Sequence, residues 1–516
     1  RRAAADGAPP ALAWGYQRVN LVWFKRDLRC DDHEPLARAS QGSVLPLYVI
    51  EPEYWLQPDT SQRQYRFLLD SLSDLAGQLA ARGQPLWVRV GDAVSIIDEL
   101  IRTQGIEAVY SHEETGNGWT FARDRALAGM LRQRGVPWHE YRQHGVVRGL
   151  RQRINWASQW EALMAAPHWP VGDLRGPGAG PLEMPPDLPM SDTTPSRVQR
   201  GGSAAGQRAL DGFLAERGRE YTTAMSSPLS AGRACSRISP HLALGTLSLR
   251  RTVYQLRRTE AADNTWARSY RSLDKRLHWH CHFMQKLESE PRMEYEPLHR
   301  GFMDLKPDPT DPVVLQRWID GETGWPFVDA CMRSLAATGW MNFRMRAMVV
   351  ALNAYHLWQP WQAAAHKLAQ RFVDYEPGIH YSQIQMQSGT TGINVNRMYN
   401  PIKQSRDQDP EGEFIRRWVP ELAGYNSTWI HEPWKAPTNI QRASGGRLGE
   451  VYPEPIADPV QSARQARDKM RAYLHAHDLA QEAQRVLATH GSKMKQPRRR
   501  AVSPAVAPQQ AMDFGD

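Results

Sequence analysis

Two hydroxyls and a guanidinium stand together in Ser236-Arg237-Ile238-Ser239-Pro240, directly ahead of a helical pattern. The orphan amides and dipole of an opening helix turn attract anions, and these side chains add donors, so the segment suits a diphosphate. The same spelling is also an ordinary helix start, with Ser239 as N-cap and Pro240 at the first helical position. Glu113 and Glu114 follow a strand pattern, at the kind of edge where ligands gather in open α/β sheets. Nineteen tryptophans suit a stacked cofactor, base stacking or electron hopping, with a bulky core as the alternative. Cys30, Cys235, Cys281 and Cys331 lie far apart with no CxxC pair. That spacing argues against a disulfide scaffold or a thiolate-bound metal, so no metal is expected, and it favours a reducing, cytoplasmic setting.

Such groups need a frame. Apolar strand patterns at 19–24, 44–50, 86–90, 108–111 and 138–141 alternate with helical ones at 62–82, 93–104 and 120–134. The alternation predicts βαβ units, hence an α/β, doubly wound, parallel-sheet (Rossmann-like) domain over 19–150. Residues 1–18 read as a loose Ala/Pro-rich arm without the apolar region of a signal peptide. Pro, Gly, Met and Ser dominate 151–205, where periodicity fades into a long surface linker. From 206 to 490 strand patterns give way to helical ones, including 206–217, 240–257, 267–287, 313–320, 326–338, 343–357, 361–372 and 459–488. This second domain is expected to be all-helical. Residues 491–516, with Lys493, Lys495 and Arg498 to Arg500, read as a disordered basic tail. A net charge of +9 and a pI near 9.4 draw the chain towards polyanions, nucleic acid foremost. No apolar run reaches the length needed to cross a bilayer, and a monomer is expected.

Four longer segments are more specific. LVWFKRDLRCDDHEPL (21–36), CSRISPHLALGTLSLR (235–250), GETGWPFVDACMRSLAATGWMNFRMRAMV (321–349) and RMYNPIKQSRDQDPEGEFIRRWVPEL (397–422) occur in this order across both domains. They closely resemble the corresponding motifs of the DNA photolyase/cryptochrome family. The resemblance implies a C-terminal FAD-binding domain, an antenna chromophore of unknown identity and damaged DNA as partner. It places Tyr221, Ser236, Arg237 and Ser239 on the FAD phosphates. Asn342, Arg346, Asp374, Glu376 and His380 fall on the ring side, with Arg346 paired to Asp374 and His380 facing flavin N5. A histidine there can donate or accept a proton near physiological pH, which would make protonation of the flavin pH-dependent. Arg344 and Arg397 match arginines at the cavity rim, where a guanidinium fork suits DNA phosphate. Trp279, Met386 and Trp325 are candidates for flat walls around a flipped lesion.

The sequence also departs from the repair pattern. Arg276 stands where cyclobutane-dimer photolyases carry a lesion-contacting Glu, and an arginine cannot act as a carboxyl group. Asn342 and Phe343 replace the His pair of six-four photolyases. Ile384 replaces the flavin-proximal Trp of the photoreduction chain, although Trp361 matches its middle member. Tyr381, Trp340, Trp358 and Tyr399 offer other electron routes. The resemblance therefore leaves two readings. One is a blue-light-dependent lyase that repairs pyrimidine photoproducts by electron transfer from excited reduced FAD, with Arg276, Trp279, His380 and Trp361 as its catalytic candidates. The other is a repair-deficient, cryptochrome-like photoreceptor.

Overall fold

The computed structural model describes residues 18–190, 195, 197–393 and 398–491. The expected N-terminal arm, apart from Arg18, and the basic tail beyond Gly491 lie outside them. Five parallel strands, β1 (Val19–Phe24), β2 (Ser43–Ile50), β3 (Trp87–Val90), β4 (Ile106–His112) and β5 (Trp138–Tyr141), form one sheet in the order β3-β2-β1-β4-β5. Side chains alternate across β1. Val22 and Phe24 pack with Leu68, Leu72 and Leu75 of the Gln62–Ala80 helix, whereas Leu21 and Trp23 pack with Ile97, Leu100 and Leu127 on the opposite face. Both faces are covered, as the near-continuous apolar strands require.

The linker is less irregular than its composition suggests. Residues 156–165 form a helix that buries Trp156, Trp160 and Met164 against the helical domain. Apolar residues at 156, 160 and 164 repeat every four positions, a signal masked by the surrounding Pro and Gly. Farther on, the chain lies against the β3 edge: Val88 N–H donates to Pro181 O and Glu183 N–H donates to Val88 O, each at 2.9 Å. This covers an edge that would otherwise present unpaired backbone groups.

Beyond the linker the described residues are helical. The long Ala267–Ser289 helix packs on the Pro377–Gln387 helix, and the Phe343–Ala351 helix runs into a π-helical turn at Leu352–His356. Two predicted helices are each broken in two. The expected 240–257 helix becomes Ser239–Ala243 and Leu249–Ala262. The expected 459–488 helix becomes Pro459–Ala476 and Ala480–His490. The first break has a clear cause. Gly245 takes a φ of +63°, and the turn around it docks onto the β1 exit, with Leu28 N–H donating to Leu244 O at 3.2 Å and Arg29 Nη1 to Gly245 O at 2.9 Å. Ser248 Oγ adds a 2.6 Å bond to Asp32, so the two domains are joined through this seam.

Candidate functional site

The Phe343–Ala351 helix carries Arg346 to Asp374, which lies in the short link between the Trp361–Arg371 and Pro377–Gln387 helices. Arg346 Nη2 meets Asp374 Oδ2 at 2.7 Å, and Ser239 Oγ donates to the same oxygen at 2.7 Å. Arg346 Nε donates to Met341 O at 2.7 Å, and its guanidinium lies 4.0 Å above the Phe372 ring. The head group is thus fixed from three sides. Asp374 Oδ1 is buried without a hydrogen-bond partner among the described residues. Buried polar atoms are nearly always satisfied, so this lone oxygen points to a missing donor.

Near this node, four guanidiniums, Arg217, Arg237, Arg276 and Arg346, act on the Cys235 thiol, which burial pushes up to about 11. Arg237 has left-handed backbone (φ +62°), stacks 4.1 Å above Trp340 and holds Gln199 Oε1 at 2.9 Å. Burial pulls it down to about 10, with Asp374 opposing and Arg217 and Arg346 adding to the fall. Cations so gathered in low dielectric favour an anion between them. Ser236 and Tyr221 are buried beside them, and Tyr221 hydrogen-bonds Arg276. Asn342 Nδ2 donates backwards, to Met225 O at 3.1 Å and Ser226 O at 2.8 Å. The four arginines and the lone Asp374 oxygen fit a dinucleotide with a diphosphate at one end and a polar ring system at the other.

Glu376, expected on the ring side, is held from the other domain. Its Oε2 lies 2.8 Å from Arg26 Nη2, across the domain seam, and Arg26 Nε also donates to Ala243 O at 2.9 Å. The turn after β1, part of the 21–36 motif, therefore reaches the site. Glu376 Oε1 remains buried without a partner among the described residues. Burial raises Glu376 to about 7, with Arg26 opposing. The folded carboxyl thus holds its proton more tightly than the ordinary value of 4.5. Its contribution to stability is fully present below that value and is lost as pH rises through about 7. Glu376→Gln keeps the Arg26 bond but removes this titration. Thermal unfolding of the variant is expected to vary less with pH across that window, by about 3 kcal/mol. Superimposable pH profiles for variant and parent would show that Glu376 ionises normally.

His380 also needs correction. Its Nε2 lies 2.9 Å from Ala365 O, and burial lowers it to about 4, so the expected proton exchange near neutrality is not supported. Met386, expected with Trp325 to wall the lesion cavity, is 2% exposed, and Trp325 at 1% belongs to the helical core, where its ring meets His356 at 5.1 Å. Each lies on the inward face of its element, where it has too little surface to meet DNA. Trp361, at 4%, and Ile384, at 3%, share that core. Trp279 is partly exposed and stacks on Phe283 at 5.5 Å, giving a flat wall. Arg276 lies 5.5 Å from the Phe343 ring as well as on Tyr221. Arg344 is half-buried, and Arg397 lies outside the described residues. Glu114, expected at a ligand crevice, is committed to Arg123, which also binds Glu51 and Asp124, so this strand end is filled by its own ion pairs.

Sequence reasoning missed the site roles of Arg26 and Arg217. Arg26 lies within the 21–36 motif, but its approach to Glu376 spans 350 residues of chain, and no motif contains Arg217.

Comparison with known proteins is consistent with this arrangement. Residues 20–151 match the family described as DNA photolyase, and residues 272–472 match the family described as FAD binding domain of DNA photolyase. The cryptochrome DASH of Natronomonas pharaonis is 30% identical over 474 residues, covering 85% of this chain and 98% of the relative. A Synechocystis cryptochrome superposes with a TM-score of 0.80 at 26% identity, over 87% of this chain and 99% of the other. A bacterial class III photolyase from Agrobacterium tumefaciens superposes with a TM-score of 0.77 at 26% identity, over 90% and 99%.

Proposed function

This chain belongs to the DNA photolyase/cryptochrome family, and from that membership and the site geometry we propose that it is a light-dependent DNA lyase acting on pyrimidine photoproducts. Its helical portion is an FAD-binding domain. Bound FAD supplies blue-light absorption and one-electron transfer; the protein supplies binding and orientation. Arg237 and its neighbouring guanidiniums hold the diphosphate. Ser239 and Asp374 hold Arg346 in place, and Asp374 Oδ1 would be the acceptor for a donor on the ring system. Trp279 backed by Phe283 gives the extruded base a flat surface. Arg344 and the +9 net charge meet the phosphodiester backbone.

The observation that carries this reading is the fixed Arg346–Asp374 pair with its open carboxylate oxygen, close to Arg237. The test is a UV-damaged oligonucleotide incubated with the protein under blue light, with dark controls. Restored pyrimidines in the light alone are expected. Bound yellow flavin with no restoration would instead favour a photoreceptor. Arg276 supports that second reading, since it contacts Tyr221 and Phe343 and brings no carboxyl group to a lesion.

Arg344→Ala is expected to weaken binding to damaged DNA and reduce the slope of log affinity against log salt by about 0.9, one phosphate contact. Filter binding over a salt series measures it. An unchanged slope would remove Arg344 from the DNA contacts.

A further inference from the structure

Asp374, Tyr375 and Glu376 are consecutive, and each is anchored to a different partner. Asp374 takes Arg346, Glu376 takes Arg26, and the Tyr375 hydroxyl donates to Asp59 Oδ2. Asp59 comes from the loop preceding the Gln62–Ala80 helix, so this bond also crosses the domain seam. The same oxygen accepts from Tyr381 O–H at 3.4 Å and from Asn117 Nδ2 at 3.2 Å. Asp59 Oδ1 is buried without a partner among the described residues. Both rings meet His380, at centroid distances of 5.2 Å and 5.5 Å. The cluster is thus sealed from solvent and lies against the ring-side residues.

Buried tyrosine–aspartate bonds can be purely structural. Here two features point further. The carboxylate keeps one oxygen open, which gives it capacity to accept a proton. The position to which the family resemblance assigns the flavin-proximal Trp holds Ile384, which cannot be oxidised. A phenol is a poor one-electron donor while it keeps its proton, and a hydrogen-bonded carboxylate is the base that relieves it of one. Burial foremost, then Asp59, keeps both phenols protonated well above their ordinary range at rest.

We propose that Tyr375, backed by Tyr381, is a proton-coupled electron donor to photoexcited oxidised flavin, with Asp59 as its proton acceptor. The proposal rests on the flavin reading above. In the forward step the Tyr375 O–H bond breaks. Its electron goes to the excited flavin and its proton to Asp59, where a carboxyl O–H forms and a neutral phenoxyl radical is left. An external thiolate then returns one electron to the phenoxyl, which takes back the proton from Asp59. The thiolate is left as a thiyl radical, and two such radicals pair as a disulfide.

The test illuminates the flavin-loaded protein and reads electron paramagnetic resonance together with the light-induced infrared difference. A phenoxyl signal and a new carboxylic-acid carbonyl band are expected in the parent. Tyr375→Phe should lose the signal. Asp59→Asn should lose the band and slow flavin photoreduction on the order of 100-fold, the scale of a positioned base. The parent decides even if a variant fails to fold. An indole radical in its place, or unchanged photoreduction in flavin-bound Tyr375→Phe and Asp59→Asn, would overturn the relay alone. A colourless parent that refuses FAD would overturn the flavin reading and the relay with it.

Discussion

Asp374→Asn is expected to strip the protein of FAD while leaving the helical domain folded. Asp374 Oδ2 receives two donors, Arg346 Nη2 and Ser239 Oγ, both at 2.7 Å. An amide cannot satisfy both donors with its NH₂ group, and turning its oxygen towards them points the NH₂ where the ring's donor edge belongs. The substitution also leaves Arg346 without a counter-charge beside Arg237 and Arg217. Removing one partner of a buried pair costs about 3 kcal/mol, at the low end of such effects because the Arg346 side chain is 27% exposed. If most of that loss falls on the cofactor, affinity drops by about 100-fold. Gel filtration followed by an absorption spectrum, with calorimetric titration of FAD, measures it. Parent-like retention would show that the pair serves packing alone.

Gly245→Ala is expected to be strongly destabilising. Its φ of +63° is in the left-handed region, which costs an ordinary residue about 1–2 kcal/mol. The added Cβ would also lie 2.2 Å from Arg26 O and 2.6 Å from Asp27 Cα, both backbone atoms. Neither can withdraw without breaking the Leu28–Leu244 and Arg29–Gly245 bonds or dragging Arg26 from Glu376. A total loss of about 4 kcal/mol or more is expected, among the largest for a point change. Chemical denaturation would read it as a lower midpoint, and limited proteolysis as faster cleavage between the domains. A midpoint equal to the parent's would mean that the seam yields easily.

Much of this architecture was legible because its signals are local. Strands β1 and β5, and the Ala93–Gln104 and Pro326–Thr338 helices, match the periodicity to the residue. The Arg346–Asp374 pair followed from motif resemblance, and the geometry agrees with it. Motif membership does not by itself mean chemistry, however. Asp329, in the GETGWPFVDA segment, caps its own loop by accepting from Thr323 and Gly324 backbone N–H and from the Tyr452 hydroxyl. What stayed hidden depends on tertiary approach. Arg26 reaches Glu376 across 350 residues of chain and Asp59 reaches Tyr375 across 316, distances at which no spacing rule operates. The His380 error had the same root, since its surroundings, not its residue type, pull it to about 4.

The claim beneath both readings is that a flavin dinucleotide lies with its ring system against Arg346 and Asp374. A crystal structure of the protein loaded with FAD tests it most directly. The ring's polar edge should donate to Asp374 Oδ1, with the phosphates among Arg237, Ser236 and the helix start at Ser239. Density for the ring elsewhere, or phosphates that avoid that arginine cluster, would contradict it.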